Sequence, residues 1–316
     1  MKNRLNRRSF IKGASAAAAG VSSIKKGIAH AESSKNKPEL SKFSVNYLTR
    51  INKAYMEKFT IIDAHSHMGE GETFPIPFSY GKDIVDTQND LGVIANCISH
   101  LTALGVDYSK GNDLAIEAAE AFPGRFFCYA VANPHYSDDI IHELSRAFDK
   151  SSYVRGVKLH PTFHSYPPIG PNYTSAFEFA NERSLTILSH TWGSAENMIT
   201  IATKYPKTKL IHAHAAARWA GTKEHVDRHG IGIHPFLEAA RDYENIYVDL
   251  CASVAYYGVF EQVVDIAGAD NILYASDTPY MDAGYQIGRV LLADISDNDK
   301  SKIFGLNIAR LLGIEV

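Results

Sequence analysis

The stretch TIIDAHSHMG, Thr60 to Gly69, decides the fold. Its apolar, β-branched start reads as a buried strand. An open, doubly wound sheet would follow such a strand with a glycine-rich turn, whereas this one runs into Asp63, His65 and His67. Outward from it, comparable runs begin near Val93, Arg125, Val154, Leu185, Thr208, Asn245 and Ile272, spaced 23 to 37 residues apart. Most intervals carry helical periodicity, as in GNDLAIEAAEAF, DDIIHELSRAF, YTSAFEFANER and AENMITIATKY. Eight strands alternating with helices over about 250 residues predict a closed (β/α)8 TIM-type barrel of the α/β class. No linker divides the pattern, so residues 59–316 are expected to form one domain, closed by one or two helices within DNDKSKIFGLNIARLLGI.

Barrels of this kind carry their sites at the C-terminal ends of the strands. Here the first run ends in Asp63, His65 and His67, the fourth in Lys158 and His160, the fifth in His190, the sixth in His212 and His214, and the eighth in Asp277. Side chains two apart on a strand share a face, so His65 should point with His67, and His212 with His214. Imidazoles with a carboxylate and one open position describe a catalytic zinc site. His65, His67, His190 and Asp277 are therefore the expected ligands of a divalent ion at the mouth. Zinc comes first, and manganese, iron and nickel suit the same donors. His214, an imidazole beside the expected ion, is expected to polarise the substrate or move a proton together with Asp277.

The remaining polar residues carry less. His160 and His212 either face the same cavity or support its walls. Lys158 reads as a buried lysine paired with an acid or as a carbamylated bridge between two metals; one ion is favoured over two. Arg218 and Trp219 follow the sixth run closely enough to grip a substrate carboxylate. His164, like His100 and His135, falls in or near loops expected at the mouth and is a candidate substrate contact. His225 and His229 lack the glutamate of a zinc-protease helix and read as solvated, as does His142.

The N-terminus is different in kind. NRRSFIKGASAAAAG pairs Arg7-Arg8 with a weakly apolar run that closes at Ala29-His30-Ala31, and it resembles a twin-arginine export signal cleaved after Ala31. That run is too short and alanine-rich for a stable membrane anchor. Residues 1–31 hold seven bases and no acid, so their removal takes the net charge from −3 to −10. Such an acidic chain is poorly suited to nucleic acid. Residues 32–58 are expected to form an extension with one amphipathic helix over 41–58. Cys97, Cys128 and Cys251 sit in or beside apolar runs and read as core rather than as a disulfide framework. The expected location is periplasmic or secreted. The expected partners are a small-molecule substrate and the twin-arginine translocation machinery, with a homo-oligomer left open.

The motifs IIDAHSH, NDLAIEAAEAFPGRF, RGVKLHP, LSHT, HAHAA, ILYASDTPY and NIARLLGI, in this order, resemble the amidohydrolase superfamily. The resemblance is to its amidohydrolase-related branch, which also contains decarboxylases. It implies His65 and His67 as first-strand ligands, His190 as the fifth-strand ligand, His214 as the histidine beside the metal, and Asp277 as ligand and proton carrier. The expected activity is hydrolysis of an ester, lactone or amide by a metal-activated water, with Asp277 as base and His214 stabilising the oxyanion. The alternative keeps the site for non-oxidative decarboxylation of an aromatic or unsaturated acid. A non-catalytic periplasmic barrel that captures metal and ligand is the rival from another class.

Overall fold

The computed structural model describes residues 53–70, 76, 79–105, 107–214, 234–251 and 258–316. The expected export signal, the extension up to residue 52, and Arg218, Trp219, His225 and His229 lie outside the described residues. Strands β1 (Ile61–Met68), β2 (Val93–His100), β3 (Phe126–Val131), β4 (Val154–Leu159), β5 (Thr186–Ser189), β6 (Lys209–His212), β7 (Ile246–Asp249) and β8 (Ile272–Leu273) each begin within one residue of the run expected for them. They pair in parallel and in sequence order, β1 to β8. The chain beyond β8 then returns to β1. Ala64 N–H donates to the Tyr274 carbonyl (3.1 Å), Asp277 N–H to that of His65 (2.9 Å) and His67 N–H to that of Thr278 (2.6 Å), and this closes the (β/α)8 barrel.

Alternation along the strands sorts side chains into two layers. Ile62, Cys97, Tyr129, Leu188, Ile211 and Leu273 belong to the cluster inside the barrel. Val157, Ile187, Leu210 and Val248 belong instead to the larger cluster that joins strands to helices. A buried Leu or Ile contributes about 1.5–3 kcal/mol, so slipping a strand by one residue would forfeit its whole set and the register is firmly held. The same alternation turns Lys158, between Val157 and Leu159, into the barrel.

The expected helices appear as Tyr108–Ala121, Ile140–Lys150, Thr174–Glu182 and Ala195–Lys204. Asp107 and Ser194 cap the first and last of these by accepting from Lys110 and Asn197 N–H, which satisfies donors that a helix start leaves open. At the C-terminus the closing segment forms two helices, Asp297–Ser301 and Asn307–Leu312, joined by a π turn, Lys302–Leu306. Its Ile303 carbonyl accepts from Tyr274 N–H (2.8 Å), and Gly305 lies so close to β1 that a Cβ there would sit 2.3 Å from the Thr60 carbonyl oxygen. Only glycine allows that approach.

β1 and β2 each carry an irregularity. Ile61 pairs with Val93 but Ile62 with Ala95, an extra residue on β2; Asp63 pairs with Asn96 but Ser66 with Ile98, an extra residue on β1. The two bulges cancel, so His67 meets Ser99 in the register with which the strands began. Among the described residues no helix is long and apolar enough to cross a membrane.

Candidate metal centre

The bulge in β1 lets two adjacent residues, Ala64 and His65, both reach the barrel interior. Ala64 packs in the inner cluster. The His65 ring meets Lys158 Nζ at 2.8 Å and His67 Nε2 at 3.2 Å through Nε2, and Asp249 Oδ2 at 3.1 Å through Nδ1. His67, two residues on, sits with Nε2 3.3 Å from Asp277 Oδ1. Its Nδ1 faces the Ser99 carbonyl at 3.2 Å, an acceptor that places the proton on Nδ1 and leaves Nε2 with a free lone pair. The donor atoms of His65, His67 and Asp277 lie within 4.8 Å of one another, and all three residues are buried.

Electrostatics prepare these groups for a cation. Burial, reinforced by the neighbouring Lys158 charge, pushes His65 well below the ordinary imidazole range, and burial lowers His67 as well. Burial alone would raise Asp277, but the His67 hydrogen bond and the surrounding histidines hold its carboxyl well below the usual range. Two neutral imidazoles and one ionised carboxylate are the forms a metal requires. Lys158 is pushed down to about 8 by burial, against the pull of Asp277 and Asp249. The buried N/N/O donor set, with each Nδ1 tied to an acceptor, fits a divalent ion of the zinc or manganese type.

His190 and His214 complete the rim. Their rings are 4.8 Å apart, and His214 lies 5.0 Å from the His65 ring. His190 also stacks on His160 at 4.1 Å, and burial drives it down to about 2. Asp277 and His214 share a rare backbone state, φ +62° and +55°, just beyond β8 and β6. Left-handed backbone at non-glycine residues costs on the order of 1–3 kcal/mol and gathers at functional sites. A cavity of about 230 Å³ opens above, floored by His67, His190, His214 and Asp277 and walled by Leu104, Phe163, Tyr280 and Met281.

Two expectations are corrected. His212 does not share a face with His214, because β6 ends at His212 and His214 has left the strand. The His212 ring stacks on Phe236 at 3.9 Å, in the layer outside the barrel. His164 is no lining residue either; it is buried with Nδ1 3.1 Å from the Tyr173 hydroxyl, and its carbonyl accepts from His135 Nε2. His100 accepts from Thr102 N–H as a helix cap, and His142 is exposed. Asp63 ties β1 to the segment after β8 instead of joining the His65, His67 and Asp277 donors: it accepts from Ser276 N–H at 2.9 Å and from the Ser276 hydroxyl, and burial pushes it up to about 7.

Two residues of the site were not expected. Asp249 Oδ1 accepts from His214 N–H (3.0 Å) and Cys251 N–H (3.2 Å), while Oδ2 holds His65. The signal was present, since IYVD closes a strand on a carboxylate as the other site strands close on histidine. Cys251 is buried as expected, yet it is surrounded by polar atoms.

A barrel whose strand ends gather imidazoles and carboxylates around a small cavity defines the class, a (β/α)8 protein with a candidate metal centre at its mouth. Residues 62–314 match the amidohydrolase family, and the chain belongs to it. No curated protein matches the chain in sequence. Among solved structures it is similar to 5-carboxyvanillate decarboxylase from Sphingomonas paucimobilis, with 14% identity, 81% of this chain and 100% of that one covered, and a TM-score of 0.62. It is also similar to 2,6-dihydroxybenzoate decarboxylase from Rhizobium, with 14% identity, 81% and 99% covered, and a TM-score of 0.60. A third is 5-carboxyvanillate decarboxylase from Novosphingobium aromaticivorans, solved with manganese and 4-hydroxy-3-methoxy-5-nitrobenzoic acid, with 13% identity, 81% and 97% covered, and a TM-score of 0.62. At these identities the likeness is one of fold.

Proposed function

We propose that the protein is a metal-dependent, non-oxidative decarboxylase of a small aromatic or unsaturated carboxylic acid. The carrying observation is the cavity: about 230 Å³, with a histidine and aspartate floor beneath walls that include Phe163 and Tyr280. Small-molecule sites usually span ~300–1,000 Å³, so this one suits a single ring better than an ester or amide with two sizeable halves. The similarity to decarboxylases of hydroxylated benzoates favours the same reading over hydrolysis.

His65, His67 and Asp277, with His190 beside them, would hold a divalent ion, which would supply a positive anchor for the substrate carboxylate. Zinc is the first ion to test, then manganese, the ion bound in the Novosphingobium structure. Asp249 and the Ser99 carbonyl fix the two imidazoles so that Nε2 faces the anchor. Phe163 and Tyr280 hold the ring and exclude water. The bond from ring carbon to carboxylate breaks, its electron pair stays on the ring carbon, and carbon dioxide leaves. Asp277 and His214 border the cavity floor, and His214 delivers the proton that replaces the carboxylate on the ring carbon.

Carbon dioxide release from a panel of hydroxybenzoates, measured beside ester and lactone cleavage with zinc- and manganese-loaded protein, tests the reading. Asp277→Asn, which removes the charged member of the donor set, should lower turnover by at least the ~10–100-fold that even an outer partner of a metal ligand costs. Ester or lactone cleavage without carbon dioxide release would overturn decarboxylation in favour of hydrolysis. Thermal stabilisation by one acid with no turnover would favour a binding protein.

We also propose that residues 1–31 direct twin-arginine export to the periplasm or beyond, a reading supported by Arg7-Arg8 ahead of the small-residue run. Changing both to lysine should leave the protein in the cytoplasm on cell fractionation. Undiminished export would refute it.

A further inference from the structure

We propose that His65, His214, Asp249 and Cys251 form a second metal site, with one sulfur ligand, that shares the His65 ring with the centre at the mouth. It does not rest on the decarboxylase reading. The His65 ring has two working faces. Nε2 looks towards His67 and Asp277, while Nδ1 looks towards Asp249 and Cys251. On the second face Cys251 Sγ lies 3.4 Å from His65 Nδ1, 3.3 Å from His214 Nδ1 and 3.0 Å from Asp249 Oδ1, and His65 Nδ1 lies 3.1 Å from Asp249 Oδ2. All four donor atoms fall within 4.8 Å of one another.

Those spacings are the edges of a coordination polyhedron. Nitrogen at about 2.0–2.1 Å and sulfur at about 2.3 Å from a tetrahedral ion stand roughly 3.5 Å apart, so small side-chain adjustments would seat an ion. A core cysteine acting only as a small hydrophobe is surrounded by carbon, whereas Cys251 is met by two imidazole nitrogens and a carboxylate. The donors are anchored by the bulge of β1, the turn after β6 and the end of β7. A site with one thiolate and two imidazoles selects zinc or cadmium over manganese, which prefers oxygen. The barrel would thus sort its metals by depth along one histidine.

Entry of the ion is balanced by release of two protons. The Cys251 thiol proton and the His65 Nδ1 proton go to solvent, metal–sulfur and metal–nitrogen bonds form in their place, and His65 bridges the two ions as imidazolate. Nothing is oxidised or reduced.

The full chain, stripped of metal and titrated with cobalt(II) and cadmium(II), tests this directly. The expected result is a thiolate-to-metal charge-transfer band in the near ultraviolet and two ions bound per chain. Cys251→Ser should remove the band and one ion, lowering cadmium affinity by at least the ~10–100-fold that even outer partners of a metal ligand cost. Cys128→Ala should keep both. His67→Asn should keep the band while weakening the mouth site. A folded wild-type protein that takes up one ion with no sulfur band would overturn the proposal, whatever the variants do. So would a band that survives Cys251→Ser.

Discussion

His212 and His214 are two residues apart, yet one ring stacks on Phe236 and the other stands beside His65. The difference gives His212 a separate measurable consequence. Burial pushes its pKa from the ordinary 6.5 down to about 3. The folded protein therefore keeps it neutral while the unfolded chain takes up a proton below pH 6.5. The stability it contributes is complete above pH 6.5 and is lost as the pH falls towards 3, by about 2 kcal/mol at pH 5. In metal-free protein, His212→Phe should lose less Tm between pH 7.5 and pH 5 than wild type does; equal losses would contradict this. The strand-end rule made the gathering of His65, His67, His190, His214 and Asp277 legible, because the C-terminal end of a barrel strand has one possible destination. It misread His212 because alternation holds only while the strand lasts, and β6 stops at that residue. Cys251 was legible only as apolar company, since no local pattern says that Asp249 and two imidazoles from other strands surround it.

Elements were easier to read than their junctions. The four amphipathic segments appear as helices because a 3.6-residue stripe must bury one face, whatever lies at its ends. The π turn at Lys302–Leu306 was invisible, because IFGLNIARLL carries a continuous helical pattern and the interruption answers to β1 instead. Gly305→Ala tests that dependence. A Cβ 2.3 Å from the Thr60 oxygen forces the turn and β1 apart. The expected cost is the ~1–3 kcal/mol of overpacking, a fall in Tm of several degrees by thermal scan. An unchanged Tm would mean the turn is free to move.

For the molecule as a whole, the barrel closes by hydrogen bonds between β1 and the chain after β8, the two segments that bring His65, His67 and Asp277 together. Metal binding and barrel closure should therefore be coupled. At 100 times its dissociation constant, zinc or manganese should stabilise the fold by ~2.7 kcal/mol, a rise in Tm of roughly 5–10 °C that a chelator reverses. His67→Asn should abolish most of that rise. If metal leaves Tm unchanged in both proteins, the gathered side chains do not hold an ion. The overall architecture was legible because eight apolar runs, separated mostly by helical stripes, admit few other closures. The mouth loops were not, since they carry no periodic pattern.

The paired bulges of β1 and β2 also bear on how kinship with this chain should be measured. Between Asp63 and Ser66 the first strand spends one residue more than its partner. A relative with a regular strand there would hold the same two histidines in the same place with one residue fewer. A single gap inside the histidine motif is then the sign of a preserved centre, and an ungapped match to such a relative superposes letters whose side chains face opposite ways.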